Sequence, residues 1–464
     1  MTFRWIVLIG VDAALAVTSL YFAVLVRLGY FELTNKLSEL KTIYTVGVFV
    51  LIMLFSAHLM EVYEFARNTK KREVFVNVLF GAATSFFLLS VVYYIDQEFL
   101  LGRGILAISL VVFALLQFSW HSLYLVGNNH PRLLQRVLIL GTGDLAAQMG
   151  EIISSNKSNF VLAGFTSCDF TGTHEKNHEI SPVAVPQDCI VGDSTDLLAT
   201  ARQLHADTIV VALSERRGHF PLGDVLRCKL NNIQILDAPS IYENVQGKLM
   251  LESITPSWLI FSQGFHRTSL FSFFKRTIDV ILSVIGLILA VPFFPLLALA
   301  IKLDSKGPVF FRQVRVGNRE KHFMLYKFRS MRQDAEFGTG AVWAEKNDPR
   351  VTNLGRFLRN SRVDEIPQLI NVLKGDMSLV GPRPERPEFV EKLKLIVPYY
   401  SKRHFIHPGV TGWAQVRYPY GASVEDAVEK LRYDLYYIKN CGPFLDTLIF
   451  FETIKVILFG RGVR

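Results

Sequence analysis

The residues best suited to chemistry in this chain are two adjacent carboxylates, Asp364 and Glu365, in its C-terminal third. Pro367 follows them, and proline is favoured in the first turn of a helix. The apolar run 369–373 then continues the helical pattern and ends at Gly375, a residue typical of helix ends. The sequence therefore predicts that the pair lies at a helix N-terminus, where backbone N–H groups and the helix dipole stabilise anions.

Arginines surround the carboxylate pair in the sequence: Arg356, Arg359 and Arg362 precede it and Arg383 follows it. Nearby cations lower the pKa of a carboxyl group, so both carboxylates are expected to be ionised. An ionised aspartate can attack phosphorus to form an aspartyl phosphate, and a neighbouring glutamate can hold Mg²⁺ with phosphate oxygens. Arginines can grip a diphosphate through paired hydrogen bonds. The alternative interpretation is a capped helix with surface ion pairs.

The positive charge of the chain is concentrated in this same third. The 464 residues carry a net charge of +9, whereas residues 302–464 alone carry 28 Lys and Arg against 18 Asp and Glu. Anionic partners of this region would be nucleic acid, anionic lipid or a phosphorylated substrate. Half of the residues are hydrophobic, which excludes a disordered or collagen-like chain. The four cysteines are scattered and form no CxxC pair, which argues against a disulfide framework and a zinc site.

Four apolar segments occupy the beginning of the chain. They cover 5–26, 43–60, 75–94 and 104–122. Each is close to the roughly 20 residues that a helix needs to cross a bilayer. Buried core helices are the alternative, but four of them in so short a stretch would lack a polar partner layer. Basic residues in the loop after the second segment (Arg67, Lys70, Lys71, Arg72) favour a cytoplasmic location for both ends.

A further apolar run, 278–301, precedes the basic third and contains one charge, Asp279. Its length suits a membrane span, but Pro292 and Pro295 interrupt it, and each removes a backbone donor and clashes with the preceding turn. A helix broken there can return to its own side of the bilayer. A full crossing would also remove the basic third from the cytoplasm. We therefore expect a re-entrant helical hairpin, with Arg276 and Asp279 paired at its base.

Between these regions, strands are predicted to alternate with helices. Strands are expected at 136–140, 161–165, 208–213 and 233–236, and a helix at 196–204. Alternation of this kind is typical of a parallel, doubly wound sheet, here a small Rossmann-like domain. A GxGxxA turn starting at Gly141 follows the first strand but is a weak nucleotide signal alone. Asp169 stands later than the usual ribose-binding acid and Tyr242 has no lysine four residues after it. A regulatory or assembly module is favoured, and nucleotide binding stays open.

Residues 272–464 resemble the bacterial sugar transferase family, the polyprenyl-phosphate hexose-1-phosphate transferases, which are monotopic phosphoglycosyl transferases. The matching features are KRTIDV from Lys275, the proline-broken hairpin, KFRSM, RxxRxDExPQ, GDMSLVGPRP and HPGVTGW. The resemblance implies that Asp364 attacks the sugar-bearing phosphorus of a UDP-sugar, that UMP leaves, and that undecaprenyl phosphate then accepts the sugar phosphate. It makes Glu365 the Mg²⁺ ligand and Arg362 an active-site residue. The residues assigned to substrate binding are Lys327, Arg329, Arg356, Arg359, Arg383 and Pro384.

The sequence thus predicts a membrane α plus α/β protein in three parts. Residues 1–127 form four transmembrane helices, 128–262 a Rossmann-like cytoplasmic domain, and 272–464 a mixed α/β transferase domain with the hairpin. The long members of the family that residues 272–464 resemble initiate exopolysaccharide or O-antigen assembly at the bacterial inner membrane, with the catalytic domain in the cytoplasm. The expected partners are a UDP-sugar (glucose or galactose), undecaprenyl phosphate and membrane lipid, without nucleic acid, and the extra domains suggest a homodimer. The alternatives are a non-catalytic scaffold of polysaccharide export and an NAD-dependent sugar-nucleotide dehydratase.

Three smaller features of the transferase region have two interpretations each. His404 and His407 suit metal ligation or, more simply, a structured loop. Trp413 suits stacking on a base or packing in the core. The apolar stretch 444–459 suits an interfacial helix or a core helix.

Overall fold

A computed structural model shows the chain as two compact units, Met1–Ile241 and Tyr242–Arg464. The structure describes residues 2–29, 40–63, 71–95, 102–127, 134–155, 160–167, 184–193, 196–213, 220–265, 267–333, 335, 348–418, 421 and 423–459. Three residues used in the sequence predictions, Arg67, Lys70 and Asp169, lie outside the described residues.

Apolar helices form the beginning of the first unit. They are α1 (Thr2–Leu28), α2 (Leu40–Leu59), α3 (Lys71–Ile95) and α4 (Arg103–Gly127). Three of the four are long and apolar enough to cross a membrane, whereas the apolar part of α2, Ile43–Leu59, is shorter. The four predicted segments are therefore helices, and three of them reach the length and composition of a span.

These helices are apolar on both their packed and their exposed faces. Ala16, Phe49 and Met53 are buried together in a shared core. Phe87 and Leu115 are 69% and 61% exposed, respectively. An exterior rich in large apolar side chains suits lipid better than water. The helices therefore fit a membrane domain and do not fit the alternative of buried core helices.

A buried polar cluster connects α1 to α4 and to the turn after α2. Asp12 Oδ2 accepts hydrogen bonds from Gln117 Nε2 at 2.6 Å and from the Tyr63 hydroxyl at 2.9 Å. His121 Nε2 lies 3.1 Å from the same oxygen. The sequence pattern does not indicate this cluster, because its members are brought together only by helix packing.

A five-stranded parallel sheet follows in the first unit, with strand order β3-β2-β1-β4-β5. The strands are β1 (Gln135–Leu140), β2 (Phe160–Ser167), β3 (Ile190–Asp193), β4 (Thr208–Val211) and β5 (Gln234–Asp237). The helices are α5 (Asp144–Ser155), α6 (Leu197–Gln203), α7 (Leu222–Leu230) and α8 (Ala238–Gln246), the last of which ends in the second unit. The prediction of a parallel α/β sheet is confirmed, although β3, which is short and partly polar, was not predicted.

Gly141 ends the first strand in a conformation that requires glycine. Its φ is +128°, and a Cβ at this position would lie 2.5 Å from the carbonyl oxygen of Ala212. The glycine therefore allows β1 to turn toward α5 close against a neighbouring segment. This packing role accounts for the first glycine of the GxGxxA turn without a nucleotide, and the Rossmann-like interpretation stays a prediction.

The second unit contains the remaining elements. Its helices are α9 (Pro256–Phe261), α10 (Ser269–Ala290), α11 (Phe294–Asp304), α12 (Asn353–Asn360), α13 (Gln368–Lys374), α14 (Pro387–Ile396), α15 (Trp413–Arg417), α16 (Val424–Lys439) and α17 (Pro443–Phe459). Its strands are the antiparallel pair β6 (Phe310–Val316) and β7 (His322–Phe328), and the parallel pair β8 (Ser378–Val380) and β9 (Gly409–Thr411). The unit is a mixed α/β structure, as predicted.

The apolar run before the basic third is helical on both sides of a break. Helix α10 ends at Ala290, a 3₁₀ turn covers Val291–Phe293, and α11 starts at Phe294. The break coincides with Pro292, as expected. Together the two helices form a fourth candidate membrane segment, Ser269–Asp304, and most of their apolar side chains are exposed. Re-entry into the membrane stays a prediction.

The base of α10 is fixed to the rest of the second unit by two charged residues that do not pair with each other. Asp279 Oδ2 accepts a hydrogen bond from Ser378 Oγ at 2.7 Å. Arg276 donates to the carbonyl oxygens of Val372 and Leu373 at 2.6 and 2.9 Å. The predicted Arg276–Asp279 pair is therefore wrong, because β8 and the end of α13 supply better-placed partners.

The main hydrophobic core of the second unit contains Trp413 and part of the apolar stretch 444–459, for each of which the sequence left two interpretations open. Trp413 is buried in it, and its indole N–H donates to the Gly247 carbonyl at 2.7 Å, which confirms the core interpretation. Helix α17 contributes Leu448 and Ile449 to this core while Phe450 is exposed, so α17 is a core helix with one open face.

Candidate active site

A cavity of about 890 Å³ in the second unit is lined by eight of the nine predicted site residues. They are Lys327, Arg329, Arg356, Arg359, Arg362, Asp364, Glu365 and Arg383. The ninth, Pro384, is not among the lining residues, and its carbonyl accepts a hydrogen bond from Arg315 Nη1 at 3.0 Å. The volume lies in the range of roughly 300–1,000 Å³ that is usual for small-molecule sites.

The carboxylate pair lies in a short turn before α13 and not within the helix itself. Residues Val363–Glu365 form a 3₁₀ turn, which Arg362 enters with a φ of 56°. Helix α13 follows from Gln368 and ends at Gly375, in the left-handed conformation typical of a glycine cap. The predicted helix and its end are confirmed. The expected N-terminal position is wrong by one turn, because the chain completes a separate turn before the helix begins.

Glu365 is held by three cations. Its Oε1 accepts hydrogen bonds from Lys327 Nζ and Arg383 Nη2, both at 2.8 Å, and its Oε2 lies 3.5 Å from Arg362 Nη1. Burial raises the pKa of this carboxyl group, but the charges of Arg383, Lys327 and Arg362 together hold the pKa well below its usual range. Glu365 is therefore ionised and fixed in orientation.

Asp364 is equally buried but has a different environment. Within the described part of the chain, its carboxylate receives no hydrogen bond and no ion pair, although it lines the cavity. Burial raises the pKa of Asp364, and the charges of Lys327 and Arg359 oppose this rise without cancelling it. The expectation of a lowered pKa is thus right for Glu365 and wrong for Asp364, where the arginines lower the pKa by less than burial raises it. Desolvation outweighs the more distant cations when no donor contacts the oxygen.

Lys327 reaches the pair from β7, near the end of the antiparallel hairpin. Burial lowers the pKa of its ammonium group, while the charges of Glu365 and Asp364 act in the opposite direction. The preceding side chain, Tyr326, accepts a hydrogen bond from Lys374 Nζ at 3.0 Å. Because side chains alternate along a strand, β7 presents Lys327 to the cavity and Tyr326 away from it.

Helix α12 carries Arg356 and Arg359 along the cavity wall. The helix packs closely at Gly355, where a Cβ would lie 2.0 Å from the Ser330 carbonyl oxygen. Thr352 caps the helix by accepting a hydrogen bond from the Gly355 N–H at 3.0 Å. The position of both arginines therefore depends on close packing at Gly355, which the sequence alone does not reveal.

Arg329 lines the cavity, but its terminal nitrogens donate hydrogen bonds to backbone carbonyl groups. Its Nη2 donates to the carbonyl oxygens of Ser305 and Ile301, and its Nη1 donates to that of Lys306, at 2.6 to 3.2 Å. Ser305 and Lys306 follow α11 directly, whereas Ile301 lies in its last turn and its carbonyl also accepts a hydrogen bond from the Ser305 N–H. Arg329 thus ties α11 to the strand that carries Lys327, and its contact with substrate stays a prediction.

Several residues that line the cavity were not predicted from the sequence as site residues. Asp348 accepts hydrogen bonds from the Arg350 guanidinium. These bonds, the hydrogen bond from the Arg350 backbone N–H and the positive charge of Arg350 lower the pKa of Asp348 to about 2. Arg403 and Asp434 also line the cavity, with Arg403 Nη2 lying 2.8 Å from Asp434 Oδ2. No spacing in the sequence indicates these residues, because separate elements bring them to the cavity.

The described residues contain no group of three or more His, Cys, Asp or Glu side chains that could hold a metal ion. His404 Nδ1 lies 3.7 Å from Glu320 Oε1, and His407 Nε2 lies 3.4 Å from Asn318 Nδ2. The two histidines therefore have separate partners, in agreement with a structured loop. Glu365 Oε2 accepts no hydrogen bond within the described residues and lies 3.5 Å from Arg362 Nη1, so this oxygen fits a Mg²⁺ ion, which commonly takes one or two carboxylates and completes its shell with substrate phosphates and water.

Comparisons with known proteins identify the same part of the chain. A model of the bacterial sugar transferase family matches residues 270–460, which contain all the residues described above that line the cavity. An exopolysaccharide production protein of Rhizobium leguminosarum bv. phaseoli is 44% identical over 194 residues, which are 40% of this chain and 97% of the relative.

Two longer relatives are also similar to this chain. The UDP-N-acetylgalactosamine-undecaprenyl-phosphate N-acetylgalactosaminephosphotransferase of Aeromonas hydrophila is 42% identical over 238 residues, 51% of this chain and 55% of the relative. The undecaprenyl-phosphate glucose phosphotransferase of Komagataeibacter xylinus is 34% identical over 339 residues, 71% of this chain and 60% of the relative. The chain thus spans little more than half the length of these two relatives.

Proposed function

The chain belongs to the bacterial sugar transferase family, and we propose that it transfers a hexose 1-phosphate from a UDP-sugar to undecaprenyl phosphate. The observation that carries this proposal is the contrast between two adjacent buried carboxylates in one cavity. Glu365 is held by three cations, whereas the Asp364 carboxylate is unbonded within the described part of the chain. Neighbouring carboxyl groups whose environments separate their pKa values are typical of a division of chemical roles.

In the first step, a carboxylate oxygen of Asp364 attacks the sugar-bearing phosphorus of the diphosphate. A bond forms between this oxygen and phosphorus, the bond from phosphorus to the UMP oxygen breaks, and UMP leaves with the electron pair. The sugar phosphate then remains on the enzyme as an aspartyl phosphate. Lys327, Arg359 and Arg383 supply positive charge around Asp364, where they can stabilise the charge that develops on the phosphate oxygens.

In the second step, a phosphate oxygen of undecaprenyl phosphate attacks the same phosphorus. Asp364 is released as a carboxylate, and the product is undecaprenyl-diphosphate-sugar. A lipid acceptor is supported by the packing of the membrane helix against the cavity wall. Ile301 of α11 is buried against Phe328 and Leu358, which directly follow Lys327 and precede Arg359 in the sequence. We expect α10 and α11 to enter the bilayer as a re-entrant hairpin, which brings the cavity to the lipid phosphate.

Mg²⁺ is part of this proposal. Glu365 would hold the ion together with diphosphate oxygens and water, and Asp364 would stay available as the nucleophile. When bound, the ion would reduce the negative charge of the diphosphate and of the leaving UMP.

The wider role that we propose is the first step of exopolysaccharide or O-antigen assembly at the bacterial inner membrane, with the cavity on the cytoplasmic side. The name of the Rhizobium relative supports a role in exopolysaccharide production. The Aeromonas and Komagataeibacter relatives are named for N-acetylgalactosamine and glucose, so the names leave the sugar open. We propose that the helices of the first unit anchor the chain and that its parallel sheet serves regulation or assembly, including a homodimer.

The test is UMP release by the purified full-length chain in lipid nanodiscs with Mg²⁺ and undecaprenyl phosphate. UDP-glucose, UDP-galactose and UDP-N-acetylgalactosamine are supplied separately. We expect repeated turnover with at least one of them, which depends on undecaprenyl phosphate and is abolished by Asp364→Asn; without the lipid, release should stop at about one UMP per enzyme. Glu388→Gln, an exposed acid outside the cavity, is the matched control and should keep full activity. Absence of release with every sugar would reject the proposal and favour a scaffold, whereas NAD binding would favour the dehydratase alternative.

A further inference from the structure

The cavity extends beyond the carboxylate pair to polar side chains that neither step uses. Glu385, Gln415 and Asp434, called here the acceptor cluster, line the same cavity as Asp364. They come from the loop before α14, from α15 and from α16, respectively. Three separate elements therefore contribute carboxylate and amide groups to one cavity.

Gln415 Oε1 is a buried acceptor that receives no hydrogen bond within the described part of the chain. Asp434 Oδ2 is also buried and is ion-paired with Arg403 Nη2 at 2.8 Å, while the same guanidinium donates hydrogen bonds to the Tyr400 hydroxyl and the Arg383 carbonyl. A buried acceptor without a donor is unfavourable, and native structures rarely retain one without a reason. A hydrogen-bond donor of a ligand in the cavity would satisfy Gln415 Oε1, and a second donor would add a hydrogen bond to the ion-paired Asp434 carboxylate.

Asp434 of the acceptor cluster is connected to the carboxylate pair through two arginines, Arg383 and Arg403. The Arg383 guanidinium donates to Glu365 Oε1 at 2.8 Å, and its backbone carbonyl accepts a hydrogen bond from Arg403 at 3.0 Å. Arg403 in turn lies against Asp434. A ligand bound at Asp364 can therefore reach a cluster whose position is fixed relative to the reacting phosphorus.

We propose that the acceptor cluster binds hydroxyl groups of the hexose in the UDP-sugar and thereby determines which sugar is accepted. This inference rests on the proposed function. A hexose offers several hydroxyl donors around its ring, whereas uracil offers two carbonyl acceptors and one N–H donor. Acceptor side chains therefore suit the hexose, and the arginines elsewhere in the cavity suit the base and the phosphates.

The ribose of the nucleotide also offers hydroxyl donors, so the experiment distinguishes binding of the hexose hydroxyls from binding of the ribose hydroxyls. Asp434→Asn and Gln415→Leu are compared with the wild-type chain in UMP release from UDP-glucose, UDP-galactose and UDP-N-acetylgalactosamine. Glu425→Gln is the matched control, because this acid is exposed on α16 and lies outside the cavity. We expect the ratio of kcat/KM values between sugars to change about ten-fold or more in both variants, since each loses one hydrogen bond to a particular hydroxyl. The inhibition constant of UMP should not change.

Two outcomes would overturn the inference. Equal loss of kcat/KM for all sugars, with unchanged ratios, would assign the cluster to folding or general positioning. A weaker inhibition by UMP would assign it to the ribose or the base. If Asp434→Asn does not fold, Gln415→Leu decides, because its side chain makes only one long hydrogen bond, 3.4 Å to the Val410 carbonyl. A wild-type chain that releases UMP from no sugar would reject the proposed function itself, and this inference with it.

Discussion

Lys327 Nζ donates a hydrogen bond to Glu365 Oε1 at 2.8 Å, and this contact separates the environments of two adjacent carboxylates. Asp364 experiences the charge of the same ammonium group without receiving its hydrogen bond. Burial therefore raises the pKa of Asp364, whereas the cations around Glu365 hold its pKa low. We therefore propose Asp364, whose carboxylate accepts no hydrogen bond within the described residues, as the nucleophile, while Glu365 holds the surrounding cations in place.

Replacement of Lys327 by methionine should shift the pH dependence of the first step. The charge of Lys327 lowers the pKa of Asp364, so its loss raises that pKa further. Because the ionised form attacks, kcat/KM falls as the pH drops through the pKa of Asp364, and the acidic limb moves to higher pH in Lys327→Met. The measurement is the pH profile of kcat/KM for UMP release. Lys374→Met, whose ammonium group contacts Tyr326 outside the cavity, should keep the wild-type profile. An unshifted acidic limb in Lys327→Met would contradict the electrostatic coupling.

Gly355→Ala should reduce activity through the position of α12. The added Cβ would lie 2.0 Å from the Ser330 carbonyl oxygen, so the helix that carries Arg356 and Arg359 must move. A displacement of about 1 Å near a reacting centre can cost roughly 100-fold in rate, and we expect a fall of that order in kcat/KM. Gly223→Ala is the control, because a Cβ there meets nothing within 4 Å. Wild-type kinetics in Gly355→Ala would show that the arginines do not need this packing.

Arg329→Met should lower stability, and Arg356→Met should lower activity. Loss of the Arg329 guanidinium leaves the carbonyl groups of Ser305 and Lys306, just after α11, without a donor among the described residues, which we expect to cost roughly 2–4 kcal/mol. Arg356 is exposed at the cavity wall, so its loss should weaken UDP-sugar binding with little effect on unfolding. Thermal unfolding in detergent and KM for the UDP-sugar distinguish the two effects. Equal unfolding midpoints in both variants would argue against the capping role of Arg329.

Asp12→Ala should destabilise the helices of the first unit. The substitution removes the acceptor of Gln117 and Tyr63 and the carboxylate beside His121, all of which are buried. We expect a loss of roughly 2–5 kcal/mol, because buried donors are left without a partner. Thr18→Ala is the control on the same helix, since its hydroxyl bonds only within α1. Thermal unfolding that is unchanged in Asp12→Ala would show that the cluster contributes little to packing.

Local patterns predicted the elements of the fold well. The alternation of apolar runs with helical stretches predicted the parallel sheet, and the run ending at Gly375 predicted α13. Pro292 predicted the break between α10 and α11. Each of these features depends on neighbouring residues in the sequence, such as a missing N–H or a left-handed glycine, and such signals can be read without knowledge of packing.

Features that depend on packing could not be predicted from the sequence. The raised pKa of Asp364 results from burial, which no spacing of arginines reveals. Arg329 belongs to a motif rich in basic residues, yet its hydrogen bonds go to carbonyl groups near the end of α11, a helix distant in sequence. The Asp12 cluster and Asp434 lie among residues of unremarkable spacing, and only the folded chain brings their partners together.

The central claim is that Asp364 becomes covalently bonded to phosphorus during turnover. The most direct measurement is mass spectrometry of the wild-type chain mixed with a UDP-sugar and Mg²⁺ in the absence of undecaprenyl phosphate, followed by peptide mapping. We predict a mass increase equal to one sugar phosphate on the peptide that contains Asp364, its disappearance on addition of undecaprenyl phosphate, and its absence in Asp364→Asn. Rapid UMP release without any modified peptide, or an adduct that persists in Asp364→Asn, would contradict the account.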